Sequence, residues 1–185
     1  MPIIFFLLGV FSIFLLLLTW HITEKLRLDF AEIDTIRQAQ INTATAHLWL
    51  EQLLTGDKSV TVKQIVADLD QAIKFIDVVL SDGHVAPAYL FEPPKPPTLR
   101  TQTEELKSLL MELKSGSIER LKNPGAAGTG SAAYHKFDAL FRKIFNKAGE
   151  LETIMKTNAA RNAERFNRLF LAVLGSWLFI VVSTA

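Results

Sequence analysis

The chain contains no cysteine. That excludes disulfide staples and every metal site built on thiolates. Net charge is nearly absent as well, with 20 Lys and Arg against 19 Asp and Glu, and a pI near 8.0. No basic surface therefore argues for nucleic acid as a partner. Chemistry-bearing motifs are also missing. The stretch Gly125-Ala-Ala-Gly128-Thr-Gly130-Ser131 lacks the lysine, the preceding strand and the glycine spacing of a phosphate loop, and reads as a flexible turn. His21, His47, His84 and His135 show no metal-ligand spacing, so neither a metal nor a cofactor is expected. The acids Glu104-Glu105 and Asp68 with Asp70 sit among Lys and Arg and read as solvated helix faces. No enzyme activity is expected within these residues.

The most consequential absence is charge at both ends. Every Asp, Glu, Lys and Arg lies between Glu24 and Arg168. Residues 3–20 run IIFFLLGVFSIFLLLLTW, and residues 169–185 run LFLAVLGSWLFIVVSTA. A hydrocarbon core about 30 Å thick takes roughly 20 apolar residues in a helix, and a helix apolar all round does not sit in water. The expected division is a transmembrane helix over 1–20, a helical domain over 21–168 and a second transmembrane helix over 169–185. A cleaved signal peptide is opposed by three features. No Lys or Arg precedes the apolar run, the run exceeds a typical h-region, and Thr19-Trp20-His21-Ile22 offers no small-residue cleavage site.

Charge bias alone does not orient the chain. Lys25 and Arg27 follow the first span, and Arg161, Arg165 and Arg168 precede the second. Counted naively, these would hold the middle region in the cytoplasm, but long loops translocate largely regardless of charge. Trp20 at one end and Arg165 and Arg168 at the other are the expected membrane-interface anchors.

The middle region reads as four helices with no strand pattern and no internal repeat. The first continues from the span to Gly56, with Ile22, Leu26, Ile33, Ile36, Leu50 and Leu54 at alternating spacings of three and four. The second runs from Thr61 to Ser81 on a stripe of Val62, Ile65, Leu69, Ile73, Ile76 and Leu80. Residues 83–97 carry the prolines that bar a helix, and Tyr89-Leu90-Phe91 is apolar enough to cover one end of a bundle. The third helix is expected to be capped by Thr98, to bury Leu99, Leu106, Leu110 and Leu113, to weaken at Ser115-Gly116-Ser117 and to end at Asn123. The fourth starts near Ala132 and continues into the second span, with Phe137, Leu140, Phe141, Ile144, Leu151 and Met155 inward. Two long helices with two shorter ones between them make an all-α, up-down-up-down four-helix bundle. At about 1.5 Å per residue, the first helix carries Gly56 about 50 Å beyond the span. Gly56 and the 125–131 loop then share the distal tip.

One constellation is polar where a seam should be apolar. Continuing from Ile33 and Ile36 by fours and threes gives Gln40, Thr43 and His47 before Leu50. An uncompensated buried amide or hydroxyl costs about 1–3 kcal/mol. These three residues are therefore candidates for a ligand pocket or a dimer seam, with Arg37 one turn earlier as a carboxylate clamp. The other phase buries Ile41, Ala44 and Leu48 and leaves the polar three half exposed. Both phases are open in the sequence. Trp49 and the helix-four phenylalanines read as core.

The segment Ala44-Thr-Ala-His-Leu-Trp-Leu-Glu-Gln-Leu-Leu-Thr-Gly-Asp57 resembles the N-terminal sensory four-helix bundles of bacterial transmembrane receptors, and Asp70-Gln-Ala72 and Phe137-Asp-Ala-Leu-Phe141 fit the same pattern. Such modules stand on chemotaxis transducers, sensor histidine kinases and diguanylate cyclases. The resemblance implies a periplasmic domain anchored in the bacterial inner membrane, a homodimer, and a small-molecule ligand bound near the tip or the dimer interface. It also implies small movements of helix four as the output, with Gly149 and Gly175 as points of softness. The family's linker and output domain do not follow residue 185, so a truncated chain is expected. The rival expectation is a membrane-anchored adaptor or scaffold that binds a protein partner.

Overall fold

The computed structural model describes residues 2–81, 97–123 and 130–184. Four α-helices account for nearly all of them: α1 (Pro2–Leu54), α2 (Val62–Leu80), α3 (Pro97–Lys122) and α4 (Ala132–Thr184). No strand occurs among the described residues. The expected cover at Tyr89-Leu90-Phe91 and most of the 125–131 loop lie outside the described residues.

The helix ends are set by local chemistry. Gly56 has φ of 96°, a left-handed conformation that suits glycine. Its N–H donates to the Leu53 carbonyl at 3.1 Å, and the Asp57 N–H donates to the Gln52 carbonyl at 3.0 Å. These are the paired bonds of a Schellman motif, and they satisfy two carbonyls that α1 would otherwise leave open. The Asp57 carboxylate then accepts from the Ser59 N–H at 2.8 Å. That hydrogen bonding holds Asp57 below its ordinary pKa.

Thr61 caps α2 reciprocally with Gln64: its hydroxyl accepts from the Gln64 N–H, and its own N–H donates to the Gln64 side chain. This is a capping box, and Val60 and Ile65, at the positions of a hydrophobic staple, are both buried. Ser131 opens α4 in the same manner, accepting from the Tyr134 N–H at 3.1 Å.

Two expectations need correction. Thr98 is not a cap, because α3 already includes Pro97, whose carbonyl accepts from the Thr101 hydroxyl. Proline suits the first helical turn, where an N–H has no partner anyway. The stripe on α2 is also rotated: Val62 is exposed, Ile73 and Leu80 are half-buried, and Ala72 and Val79 are buried beside Ile65, Leu69 and Ile76. Ser115-Gly116-Ser117 does not interrupt α3. Both serine hydroxyls return to carbonyls of their own helix.

By packing, the chain divides into two units, residues 1–31 with 154–185, and residues 32–153. In the second unit Ile36, Leu50, Ile65, Leu69, Ile76, Leu106, Leu110, Leu113, Ile144 and Leu151 are fully buried. Side chains of this kind stabilise by about 1.5–3 kcal/mol each when removed from water. Cross-helix pairs in this unit run in opposite chain order. Asp70 and Asp77 of α2 meet Lys114 and Lys107 of α3. Glu105 of α3 meets Lys147 of α4, while Gly116 faces Phe137. Arg37 and His47 of α1 meet Glu152 and Phe141 of α4.

The first unit is built differently. Phe11 stacks on Trp177 with ring centroids 5.5 Å apart and planes 7° from parallel. Met155 and Ala159 are buried, yet Leu16, Phe179 and Val182 are 70%, 74% and 76% exposed. Two helices are long and apolar enough to cross a membrane, and their most apolar stretches are unburied.

Candidate functional site

On α1 the structure resolves the two phases. Ile33, Ile36, Ala39, Thr43, Ala46 and Leu50 are buried, Gln40 and His47 are half-buried beside them, and Ile41 and Leu48 are 50% and 56% exposed. The polar residues therefore lie on the packed face, and the face of Ile41 and Leu48 is turned outward.

Each polar residue meets burial in its own way. Thr43 is fully buried, and its hydroxyl donates to the Ala39 carbonyl at 2.7 Å, so its own helix supplies the partner. The Gln40 amide donates to the Phe145 carbonyl of α4 at 3.4 Å, a long bond. Arg37 reaches α4 as well, with its guanidinium 2.7 Å from the Glu152 carboxylate. It is joined to a carboxylate of its own chain, one side of it in solvent.

His47 differs from all three. Its imidazole stacks on Phe141 at 4.1 Å and on Phe137 at 5.7 Å, with planes within 19° of parallel. Its Nδ1 is buried with no hydrogen-bond partner among the described residues. Burial holds the imidazole below its ordinary pKa. Glu51 opposes that, Arg120 adds to it, and Asp138 opposes it. The ring is thus kept neutral among groups from α1, α3 and α4.

Arg120 completes the cluster and is a residue the sequence reading missed. It is 5% exposed, its Nη1 lies 2.6 Å from Glu51 Oε1, and its guanidinium sits 4.7 Å from the Phe137 ring centroid and 5.5 Å from that of Tyr134. A buried guanidinium is tolerable here because a carboxylate and two aromatic faces replace its water. A signal was available. Leu99, Thr103, Leu106, Leu110, Leu113, Ser117 and Arg120 follow one another at fours and threes, and all are buried. The charge disguised the last of the series.

Beside this cluster a partly open cleft of about 370 Å³ runs between α3 and α4. Glu112, Gly116 and Glu119 of α3 and Lys136, Phe137 and Leu140 of α4 form its walls and floor, and Arg120 closes its inner end. Gln40 and Thr43 do not line it. Of the candidates read from sequence, His47 alone approaches it, through Phe137. The interface candidates Trp20, Arg165 and Arg168 lie in the other unit and are exposed, with Arg168 paired to Glu164. Comparison of the chain with protein-family models, curated proteins and solved structures gave no match.

Proposed function

We propose that this chain is the sensory input module of a bacterial transmembrane receptor, an up-down-up-down four-helix bundle standing in the periplasm between two membrane spans. One observation carries the reading. α1 and α4 are each a single 53-residue helix with an apolar, unburied end and a packed, charged remainder. A helix that is continuous from a packed domain into an apolar segment transmits displacement along its axis, because its hydrogen bonds lie within the helix. The opposite chain order of the α1–α4, α2–α3 and α3–α4 pairs supports the up-down arrangement. α4 is the transmitter, and Trp20, Arg165 and Arg168 set the depth at which each span rests.

A homodimer belongs to this reading, with its seam moved from the candidates Gln40, Thr43 and His47 to the outward face of α1. Ile41 and Leu48 are seven residues apart and exposed, the spacing of a coiled-coil seam. Two copies anchored by the same spans stand in one orientation at one height, which brings these faces into register.

The absence of cysteine makes the test direct, since each introduced thiol is unique. In membranes, Leu48→Cys is expected to form an intermolecular disulfide, and Lys58→Cys to react in intact cells with a membrane-impermeant maleimide. Labelling of Lys58→Cys only after the cells are opened would overturn the periplasmic placement. A thiol series along α4 whose cross-linking is unchanged by every stimulus that alters the receptor's output would overturn the transmitter role.

A further inference from the structure

We infer that the α3–α4 cleft binds a short ω-amino acid, a zwitterion whose ammonium and carboxylate are separated by an alkyl chain. The inference deepens the sensor reading and rests on it only for the signal that follows; binding itself is measured separately.

Three features of the cleft point to this class. The first is the distribution of charge. α3 presents Glu112 and Glu119, two turns or about 10.5 Å apart along the helix, and α4 presents Lys136. None of the three makes an ion pair among the described residues, although long side chains of opposite sign share one cleft. Arg120 is engaged with Glu51, so the inner end is a neutral pair. A carboxylate wall facing an ammonium wall is matched by a dipolar ligand. A diamine would meet Lys136 with like charge, and a dicarboxylate would meet Glu112 and Glu119.

The second feature is the floor. Phe137 and Leu140 lie between the charged walls, and an apolar chain joining the two ends of the ligand covers them. An α-amino acid, whose charges share one carbon, cannot reach both walls across that floor.

The third is Gly116. It sits inside α3, where glycine costs about 1 kcal/mol relative to alanine. Its φ is not positive, so no turn demands it. A Cβ added there would meet the Phe137 ring at 3.5 Å, an ordinary contact. Packing therefore permits alanine, and what the glycine preserves is open space above Phe137.

The test is titration calorimetry on the full chain in lipid nanodiscs with four probes of equal carbon number: δ-aminovalerate, norvaline, cadaverine and glutarate. δ-Aminovalerate is expected to bind, and the other three at least about 10-fold more weakly. Lys136→Ala and Glu119→Gln are each expected to weaken it about 10-fold or more with unchanged melting temperature. Gly116→Ala is expected to raise the melting temperature and weaken binding together, a combination that a purely structural glycine does not give. No heat with δ-aminovalerate, equal binding of norvaline, tighter binding of cadaverine or glutarate, or indifference of binding to Gly116→Ala and Lys136→Ala each overturns the inference. A blank titration removes the ligand and leaves the cross-linking outcome on α4 standing, so the two failures are distinguishable.

Discussion

Leu50 and Leu16 belong to one helix and have the same side chain, yet Leu50 is fully buried and Leu16 is 70% exposed. In residues 32–153 the large aliphatic side chains turn inward and the charges outward, the pattern of a chain folded against water. In the other unit the aliphatic side chains turn outward around a few ring contacts such as Phe11 on Trp177. The hydrophobic effect cannot hold that second arrangement in water, because it leaves the apolar area where it was. In lipid the same exposure carries no penalty. The two units therefore read as one chain written for two solvents.

The sharpest break of this comparison is a matched pair of truncations. Leu50→Ala is expected to cost about 2–5 kcal/mol in denaturant unfolding of the bundle, since it removes a packed side chain and leaves a cavity. Leu16→Ala is expected to change that unfolding by less than about 0.5 kcal/mol. Equal losses at both positions would mean that one water-excluded core, and not two environments, accounts for the stability.

Next in size is the buried cation. Arg120→Met keeps the stem that packs on Phe137 and removes the charge, leaving Glu51 without its partner at 2.6 Å. Losing one member of a buried pair costs about 3–5 kcal/mol. Glu51 is about a quarter exposed and can recover water, so a loss of about 1–3 kcal/mol is expected. The double variant Arg120→Met with Glu51→Met is expected to regain much of it. If the double variant is as unstable as the single one, the aromatic contacts rather than the ion pair hold this corner.

The four helices, their order and most of their ends were legible in the sequence because each has a local cause. Gly56 stops α1, Thr61 with Gln64 opens α2, and heptad-like spacing marks the buried faces. The rotation of the α2 stripe was not legible, since Ala72 and Val79 are buried by the neighbour they face and not by any property of α2. The site was less legible still. Gln40, Thr43 and His47 sit on the packed face that the seam implied, but Thr43 answers to its own helix and Gln40 to a carbonyl of α4. The cleft joins residues more than a dozen positions apart on two helices, a juxtaposition fixed by packing rather than by spacing.

His47 gives a prediction in pH. Its folded-state pKa is lowered, chiefly by burial, so the unfolded chain takes up a proton more readily than the folded one. Stability contributed by the neutral ring is complete above the unfolded value near 6.5 and is lost as pH falls below it, levelling off beneath the folded value. One proton limits the slope to about 1.4 kcal/mol per pH unit. Glu51 and Asp138 moderate the loss, and Arg120 enlarges it. His47→Phe preserves the stack on Phe141 and is expected to flatten the pH dependence of unfolding between about pH 7 and 5. An unchanged slope in that variant would assign the dependence to Asp68, whose pKa burial raises and which also binds protons in this range. That group acts with the opposite sign, stabilising the fold as pH falls, so the two are separable by direction alone.

The smallest expected effect is the most direct test of what the polar seam means. If Thr43 served a ligand or a partner helix, its hydroxyl would be the point of the position. Its bond to the Ala39 carbonyl at 2.7 Å instead adds to a carbonyl already engaged in the helix. Thr43→Val keeps the shape and removes only that bond, so the bundle is expected to change by less than about 1 kcal/mol, in either direction. The same substitution is expected to leave δ-aminovalerate binding and Leu48→Cys cross-linking unaltered, because Thr43 lines neither the cleft nor the outward face. A loss of binding or cross-linking in Thr43→Val would return function to the inner seam of α1 and take it away from the cleft. Thr43 thus separates a polar residue that the fold tolerates from the charged residues, Lys136 and Glu119, that the fold leaves available.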